Sequence, residues 1–339
     1  LWQTLRRTPS SEALAALARL KDDSDPVIRE QALRVRSDVA DPEAGEDFRH
    51  AIREGTPREQ AFAAIGLGRV AIPRERAENI AALTELLARN ADDDPVLRHA
   101  AVMGLVGSAE PEALAELATH ESASVRLGAV LALRRLHSAE VAAFLRDADV
   151  RVVEEAARAI HDEPISEALP FLAGLPLNRE NTDSDLLRRR VLNANFRLGG
   201  PDHAAVIAGL AANDSLPLHL REEALFALAH WDRPPVLDRV TNEHRPLPAR
   251  SREAARSAAE GLVPTLLVGG EELRSRAIEL VAKYRLGHFA PQLAELAASG
   301  EQPPAVQAAA ISALAELNAP GAADVIRAGL ESDAPAVRM

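Results

Sequence analysis

The sequence predicts an all-α chain, an open right-handed superhelix of about ten antiparallel helix pairs, and three observations carry that prediction. A short phrase recurs along the 339 residues: Asp25-Pro-Val-Ile-Arg29, Asp94-Pro-Val-Leu-Arg98, Ser122-Ala-Ser-Val-Arg126 and Asp147-Ala-Asp-Val-Arg151. Apolar residues follow it at helical spacing, as in Val125, Ala129, Leu133 and Leu136, and again in Val150, Val153, Ala157 and Ile160. Aromatic residues are only 3% of the chain, so Ala and Leu must carry the packing, as they do where thin helices stack closely. Alternating β-branched runs, the signal of strands, do not occur.

In each phrase an Asp or Ser stands four positions before an Arg, placed to accept hydrogen bonds from the free N–H groups of a first helical turn. Pro26 and Pro95 suit the first helical position because the N–H they lack would be unpaired there. Looser copies begin near Pro57, Asp185, Ser215, Gly270, Pro303 and Asp333. Between copies lie shorter amphipathic stretches, Pro111 to Ala118, Ser138 to Leu145, His203 to Leu210, Phe289 to Ala297 and Ala322 to Leu330. The repeating unit is therefore a helix pair of roughly 34 residues, which buries its apolar face only on its neighbours.

These openings, each followed by an Ala/Leu-rich helix, resemble HEAT repeats, in particular the short bacterial PBS-lyase-type kind, over nearly the whole chain. The resemblance implies a structural ladder of turn acids and helix arginines, which here would comprise Asp25, Arg29, Asp94, Arg98, Arg126, Asp147 and Arg151. The expected organisation is repeats over 1–232, a proline-rich insertion over 233–250, and repeats continuing over 251–339. Pro234, Pro235, Pro246 and Pro248 forbid a continuous helix across that insertion. A second, smaller break is the polar connection from Leu177 to Asp183. The start without Met, and an ending on the repeat opening Asp333 to Met339, lead to the expectation of a piece cut from a longer polypeptide.

The net charge of -12, from 39 basic and 51 acidic residues, opposes nucleic acid as the main ligand, since binding a polyanion rests on a basic surface. All the basic residues except Lys21 and Lys283 are arginine, a planar bidentate donor. With no cysteine there is no disulfide, thiolate metal site or thiol nucleophile, and no C-x-x-C-H haem attachment within these residues. No apolar run is long enough to span a bilayer, and Leu1 to Arg7 lack the core of a signal peptide.

Several short motifs invite chemistry and give way to a simpler reading. Gly66-Leu-Gly-Arg-Val-Ala71 has the spacing of a dinucleotide fingerprint, but it follows a helical stretch where the motif requires a strand, and it is expected to end that helix. Asn181-Thr-Asp-Ser-Asp185 begins like a calcium loop yet carries Leu186 and Leu192 where Gly and Glu are needed, so capping is the better account. Asp92-Asp-Asp94 reads as an acidic turn feeding a cap, His161 as a helix-end histidine, and Arg188-Arg-Arg190 as helical residues pointing apart. No active site is expected, and no cofactor or metal is expected in this segment.

A more specific resemblance lies over roughly residues 90 to 260. Arg188 to Gly199, Arg221 to Trp231, and Pro235 to Pro248 are similar to the HEAT segment of large secreted planctomycete-type proteins. In that family the segment sits between a sorbosone-dehydrogenase-like propeller and a C-terminal c-type cytochrome domain. The resemblance implies a scaffold within an exported, redox-active parent, in the periplasm or cell envelope, with haem c and a quinone cofactor held elsewhere. Its partners would be neighbouring domains of the same polypeptide. A free-standing protein-binding scaffold is the alternative; a HEAT-like DNA glycosylase would need a basic concave face, and a phycobilin lyase would need to bind a tetrapyrrole. The candidate interface residues are Trp231, Pro234, Pro235, Asp238, Arg239, Glu243 and Arg245, with Trp231 expected to clamp the two prolines and the charges to form a polar rim. A simple surface connector remains the competing reading of the insertion.

Overall fold

The computed structural model describes residues 10–70, 72–177 and 184–338. The chain divides into two compact units, Leu1–Thr182 and Asp183–Met339. The division falls at the polar connection rather than at the proline-rich insertion, which lies inside the second unit. Among the described residues the regular structure is helical, apart from one isolated antiparallel bridge between Leu237 and His244.

In the first unit the helices are α1 (Ser11–Arg19), α2 (Pro26–Asp38), α3 (Gly45–Glu54), α4 (Pro57–Val70), α5 (Arg76–Asn90), α6 (Pro95–Ser108), α7 (Pro111–Glu116), α8 (Ala123–Arg135), α9 (Val150–Asp162) and α10 (Leu169–Ala173). The helices opened by the repeated phrase, α2, α4, α6, α8 and α9, pack each on the next as one layer, and the intervening helices back them. Asp25 accepts from the Val27 amide (2.9 Å), and Asp94 from those of Val96 (2.7 Å) and Leu97 (3.3 Å). Thr56 and Glu59 cap α4 reciprocally: the Thr56 amide donates to Glu59 Oε2 (2.7 Å) and the Glu59 amide to Thr56 Oγ1 (3.3 Å).

Three local expectations are corrected. Ser122 makes no side-chain cap, and α9 is capped by Asp149, which accepts from the Arg151 amide at 2.9 Å, leaving Asp147 free for another partner. The stretch Ala139–Arg146 is a 3-10 helix. Gly66 and Gly68 do not end a helix but lie within α4, where they let neighbours approach. A Cβ on Gly68 would fall 2.7 Å from the Met103 carbonyl oxygen of α6, so the absence of side-chain volume is what sets the α4–α6 spacing.

The second unit contains α11 (Asp185–Leu198), α12 (Pro201–Ala212), α13 (Leu218–Ala229), α14 (Glu253–Leu267), α15 (Glu271–Tyr284), α16 (Ala290–Ala298), α17 (Pro304–Leu317), α18 (Ala322–Leu330) and α19 (Pro335–Arg338). Its core runs continuously from Leu192 and Phe196 of α11 through Ala224 and Leu228 of α13 and Val281 of α15 to Leu314 of α17. The insertion occupies the turn from α13 to α14, whereas the equivalent turn from α15 to α16 contains only a few residues.

Candidate protein-interaction surface

The turn between α13 and α14 is a short hairpin. The Asp238 amide donates to the Glu243 carbonyl (2.9 Å), the Arg245 amide to the Val236 carbonyl (3.0 Å), and the Asn242 amide to the Asp238 carbonyl (2.9 Å). Asn242 takes the left-handed conformation the reversal needs, at φ 60°. The carboxylate of Asp238 organises the tip from within: Oδ1 accepts from the amides of Val240 (2.8 Å) and Thr241 (3.1 Å), while Oδ2 faces Arg197 of α11 (3.0 Å) and Arg245 (3.8 Å). Burial, followed by the charge of Arg245, lowers the pKa of Arg197 despite its pairing with Asp238.

The base of the hairpin closes on Arg250. Its guanidinium lies 3.9 Å from the Trp231 ring centroid and 4.8 Å from that of Phe196, and the two rings meet edge to face at 6.1 Å. Nε donates to the Trp231 carbonyl (2.8 Å) and one terminal nitrogen to the Phe196 carbonyl (2.7 Å), so one cation satisfies the ends of α11 and α13. Burial lowers the pKa of Arg250 to about 10. Tyr284 adds a third tie by donating to the Leu228 carbonyl at 2.5 Å.

These contacts reassign the candidate interface residues. Trp231 is 1% exposed and packs on Phe196 and Arg250, so it belongs to the core and its expected role as a contact aromatic is corrected. Asp238, expected in a polar rim, is instead a buried anchor, and Arg245 faces it from a largely buried position. Pro234 and Pro235 are half-buried. Glu243 is exposed, and Arg239 is held by two hydrogen bonds to Glu223 (2.8 and 2.5 Å) above the Phe226 ring, 4.1 Å from its centroid. Val236 and Leu237 complete the outer edge at 56% and 45% exposure. Arg239 also lines a cleft of about 260 Å³ together with Phe226, His230 and Arg276, in which His230 stacks on Phe226 at 3.9 Å.

The three stretches that carry the more specific resemblance thus converge in space. Arg197 from the first reaches Asp238 in the third, Arg189 donates to the Arg239 carbonyl (2.6 Å), and Glu223 from the second holds Arg239. Arg188, Arg189 and Arg190 have separate partners: Asp185, the Arg239 carbonyl and the Leu186 carbonyl. Sequence reasoning missed Arg250, Phe196, Arg197 and Glu223; the available signal was that all four lie in or beside these stretches.

The ladder residues behave unequally. Arg126 donates to both oxygens of Asp147 (2.6 and 2.9 Å) and to the His120 carbonyl (2.7 Å); the Asp147 bond raises the pKa of Arg126. Arg29 pairs with Glu59 (2.9 Å) and donates to the Asp23 carbonyl (2.8 Å). Arg98 approaches Asp92 only to 3.6 Å. Arg151 is corrected: at 61% side-chain exposure it turns onto Asp149 (2.7 Å) in its own turn, because that cap is nearer than any acid of an adjacent repeat. Asp25 and Asp94 are caps, not ladder acceptors. A pattern unseen in the sequence emerges here: Arg29, Arg126 and Arg338 each donate to the carbonyl six residues earlier, and Arg274 to the Gly269 carbonyl five earlier. In these four repeats the opening arginine closes the preceding turn, whereas Arg98 and Arg151 meet carboxylates instead.

Among the described residues no group of three or more His, Asp or Glu is placed to hold a metal ion, and no helix is long and apolar enough to cross a membrane. His161 is fully buried, with Nδ1 2.9 Å from Asp162. Asp92 accepts from Ser124 (3.0 Å). Asn181 to Asp183 lie outside the described residues, while Ser184 caps α11 and Asp185 meets His219 at 2.8 Å.

No curated protein matches the chain. Among solved structures it is similar to an engineered protein (18% identity, 96% of each chain, TM-score 0.41) and to human deoxyhypusine hydroxylase (18% identity, 99% of this chain and 95% of that one, TM-score 0.30). It is also similar to the karyopherin Kap121p bound to the extreme C-terminus of the protein phosphatase Cdc14p (13% identity, 98% of this chain and 37% of that one, TM-score 0.37). Residues 80–161, from α5 through α9, match the HEAT repeats family.

Proposed function

We propose that the chain is a non-catalytic helical-repeat scaffold that binds protein, and that the α13–α14 hairpin is a docking surface. The observation that carries this reading is the contrast between the two sides of the hairpin. Its inner side is fixed by a buried carboxylate and arginines, and its outer edge presents Val236, Leu237 and Glu243 to solvent. Ordering an apolar edge in advance removes the entropy cost that a mobile loop would meet on binding. By the resemblance of residues 188–248, the partner is a neighbouring domain of a larger exported redox protein, with haem c and a quinone cofactor residing outside this segment.

The test is a variant that alters the edge and spares the anchors. Leu237→Glu, in the full-length protein, is expected to loosen the docking of this module without changing its helical circular dichroism, read as new protease cuts at its borders. Unchanged protease resistance would contradict the docking role. A C-x-x-C-H motif downstream of Met339 in the same reading frame would support the redox parent, and a frame closing without one would favour a free-standing scaffold.

A further inference from the structure

In the first unit an open groove of about 560 Å³ lies between the exposed edges of α6 and α8. Its apolar lining is Val102 of α6, 3% exposed, and Leu131 of α8. Its walls carry Arg98, Arg134 and Arg135 against a single carboxylate, Glu163, in a chain whose net charge is -12. The arginines are not equally committed. Arg134 is neutralised by Glu155 (2.9 Å) and Glu163 (2.8 Å). Arg98 is 3.6 Å from Asp92, beyond hydrogen-bond distance, and Arg135 is exposed with no ion-pair partner among the described residues. His99 and His137 add ring nitrogens to the same walls.

We propose that this groove binds an acidic segment of a partner protein, with a partner carboxylate at Arg135, a second at Arg98, and an apolar side chain on Leu131. Charge complementarity argues for the occupant. Arginine forks match carboxylates in two-point geometry, and a guanidinium without a partner at a groove wall has that interaction still to make. Leu131, part-exposed among the charges, calls for an apolar side chain, which a polypeptide supplies and a phosphate backbone does not. Glu163 and the chain's overall acidity repel a continuous polyanion but accommodate spaced carboxylates. The inference concerns a different unit from the hairpin surface, so either can fail alone.

The test uses the full chain and a fluorescein-labelled synthetic peptide in which Asp and Glu alternate with Leu, read by anisotropy at low salt. Saturable binding is expected, weakened about 10-fold or more by Arg98→Glu combined with Arg135→Glu. Leu237→Glu should leave it unchanged. The single variant Arg135→Glu, at a position with no structural partner to lose, should weaken binding in the same direction with unchanged circular dichroism. The proposal is overturned if the peptide does not bind, if its Asn/Gln counterpart binds as tightly, if Arg135→Glu has no effect, or if single-stranded DNA displaces the peptide at equal concentration.

Discussion

The two units use arginine in different ways. In the first, buried or half-buried guanidinium groups go to carboxylates: Arg36 to Asp41 and Asp47 (both 2.6 Å), Arg126 to Asp147, Arg134 to Glu155 and Glu163. In the second, Arg197 and Arg239 also meet carboxylates, but Arg250, which closes the irregular turn, has aromatic faces and helix-end carbonyls as its partners, and Arg189 and Arg221 also end on carbonyls. A regular array repeats the same turn and can supply an acid at the same place each time. An irregular turn must close whatever carbonyls the interrupted helices leave open, and a planar cation with several donors does that.

The largest expected effect follows from that closure. Arg250→Ala leaves the Phe196 and Trp231 carbonyls without their donor and opens a void between two rings, a loss of about 3–5 kcal/mol in urea unfolding of the second unit. Arg250→Lys keeps the charge and loses the fork, and should recover only part. A loss under about 1 kcal/mol for the Ala variant would show that the clamp is incidental.

Next comes the ladder of the first unit. Arg126→Ala strands Asp147, whose side chain is 2% exposed, and is expected to cost about 2–4 kcal/mol. Arg151→Ala removes an exposed local pair and should cost less than about 0.5 kcal/mol. Equal losses would show that Arg126 and Arg151 do not differ in what they hold together. A comparable contrast is expected at the hairpin, where Asp238→Asn removes the buried carboxylate that Arg197 and Arg245 face and should cost about 2 kcal/mol, against none for Glu243→Gln.

These differences also mark what the sequence could and could not carry. Helix starts were legible because they are local: Asp25 and Asp94 act within a turn of the amides they cap, and Pro57 opens α4 as its first residue. The proline content of 233–250 announced the break in the array. Which acid each arginine meets was not legible, because Asp147 and Asp149 sit two residues apart in one phrase and only three-dimensional packing gives one to Arg126 and the other to the cap. Trp231 was misread for the same reason. A rare aromatic beside prolines suits an interface and a core equally well until Phe196, 35 residues earlier in the chain, is seen against it. The role of Gly68 required the neighbouring helix as well.

Acid should separate the units more gently. In the first, Glu75 and Asp149 are lowered chiefly by their hydrogen bonds to Arg49 and Arg151; for Asp47 and Glu59, burial pushes upward, and hydrogen bonds from Arg36 and from the Thr56 amide outweigh it. In the second, Asp232 is the corresponding case, with burial outweighed by Lys283. A carboxylate whose folded pKa lies below its unfolded value of 3.8 or 4.5 contributes stability above that value and loses it as the pH falls through the folded pKa. Amide exchange on descending from neutral pH through this range should open the first unit before the second; the reverse order would break the comparison.

The central claim is that the α13–α14 turn is a fixed hairpin with an exposed edge, and native-state hydrogen exchange at neutral pH tests it most directly. The amides of Asp238, Asn242 and Arg245 should be protected to a degree approaching those of α13, and should lose that protection in Arg197→Met while α13 keeps its own. Exchange at these three amides as fast as in the chain's terminal residues would contradict the account.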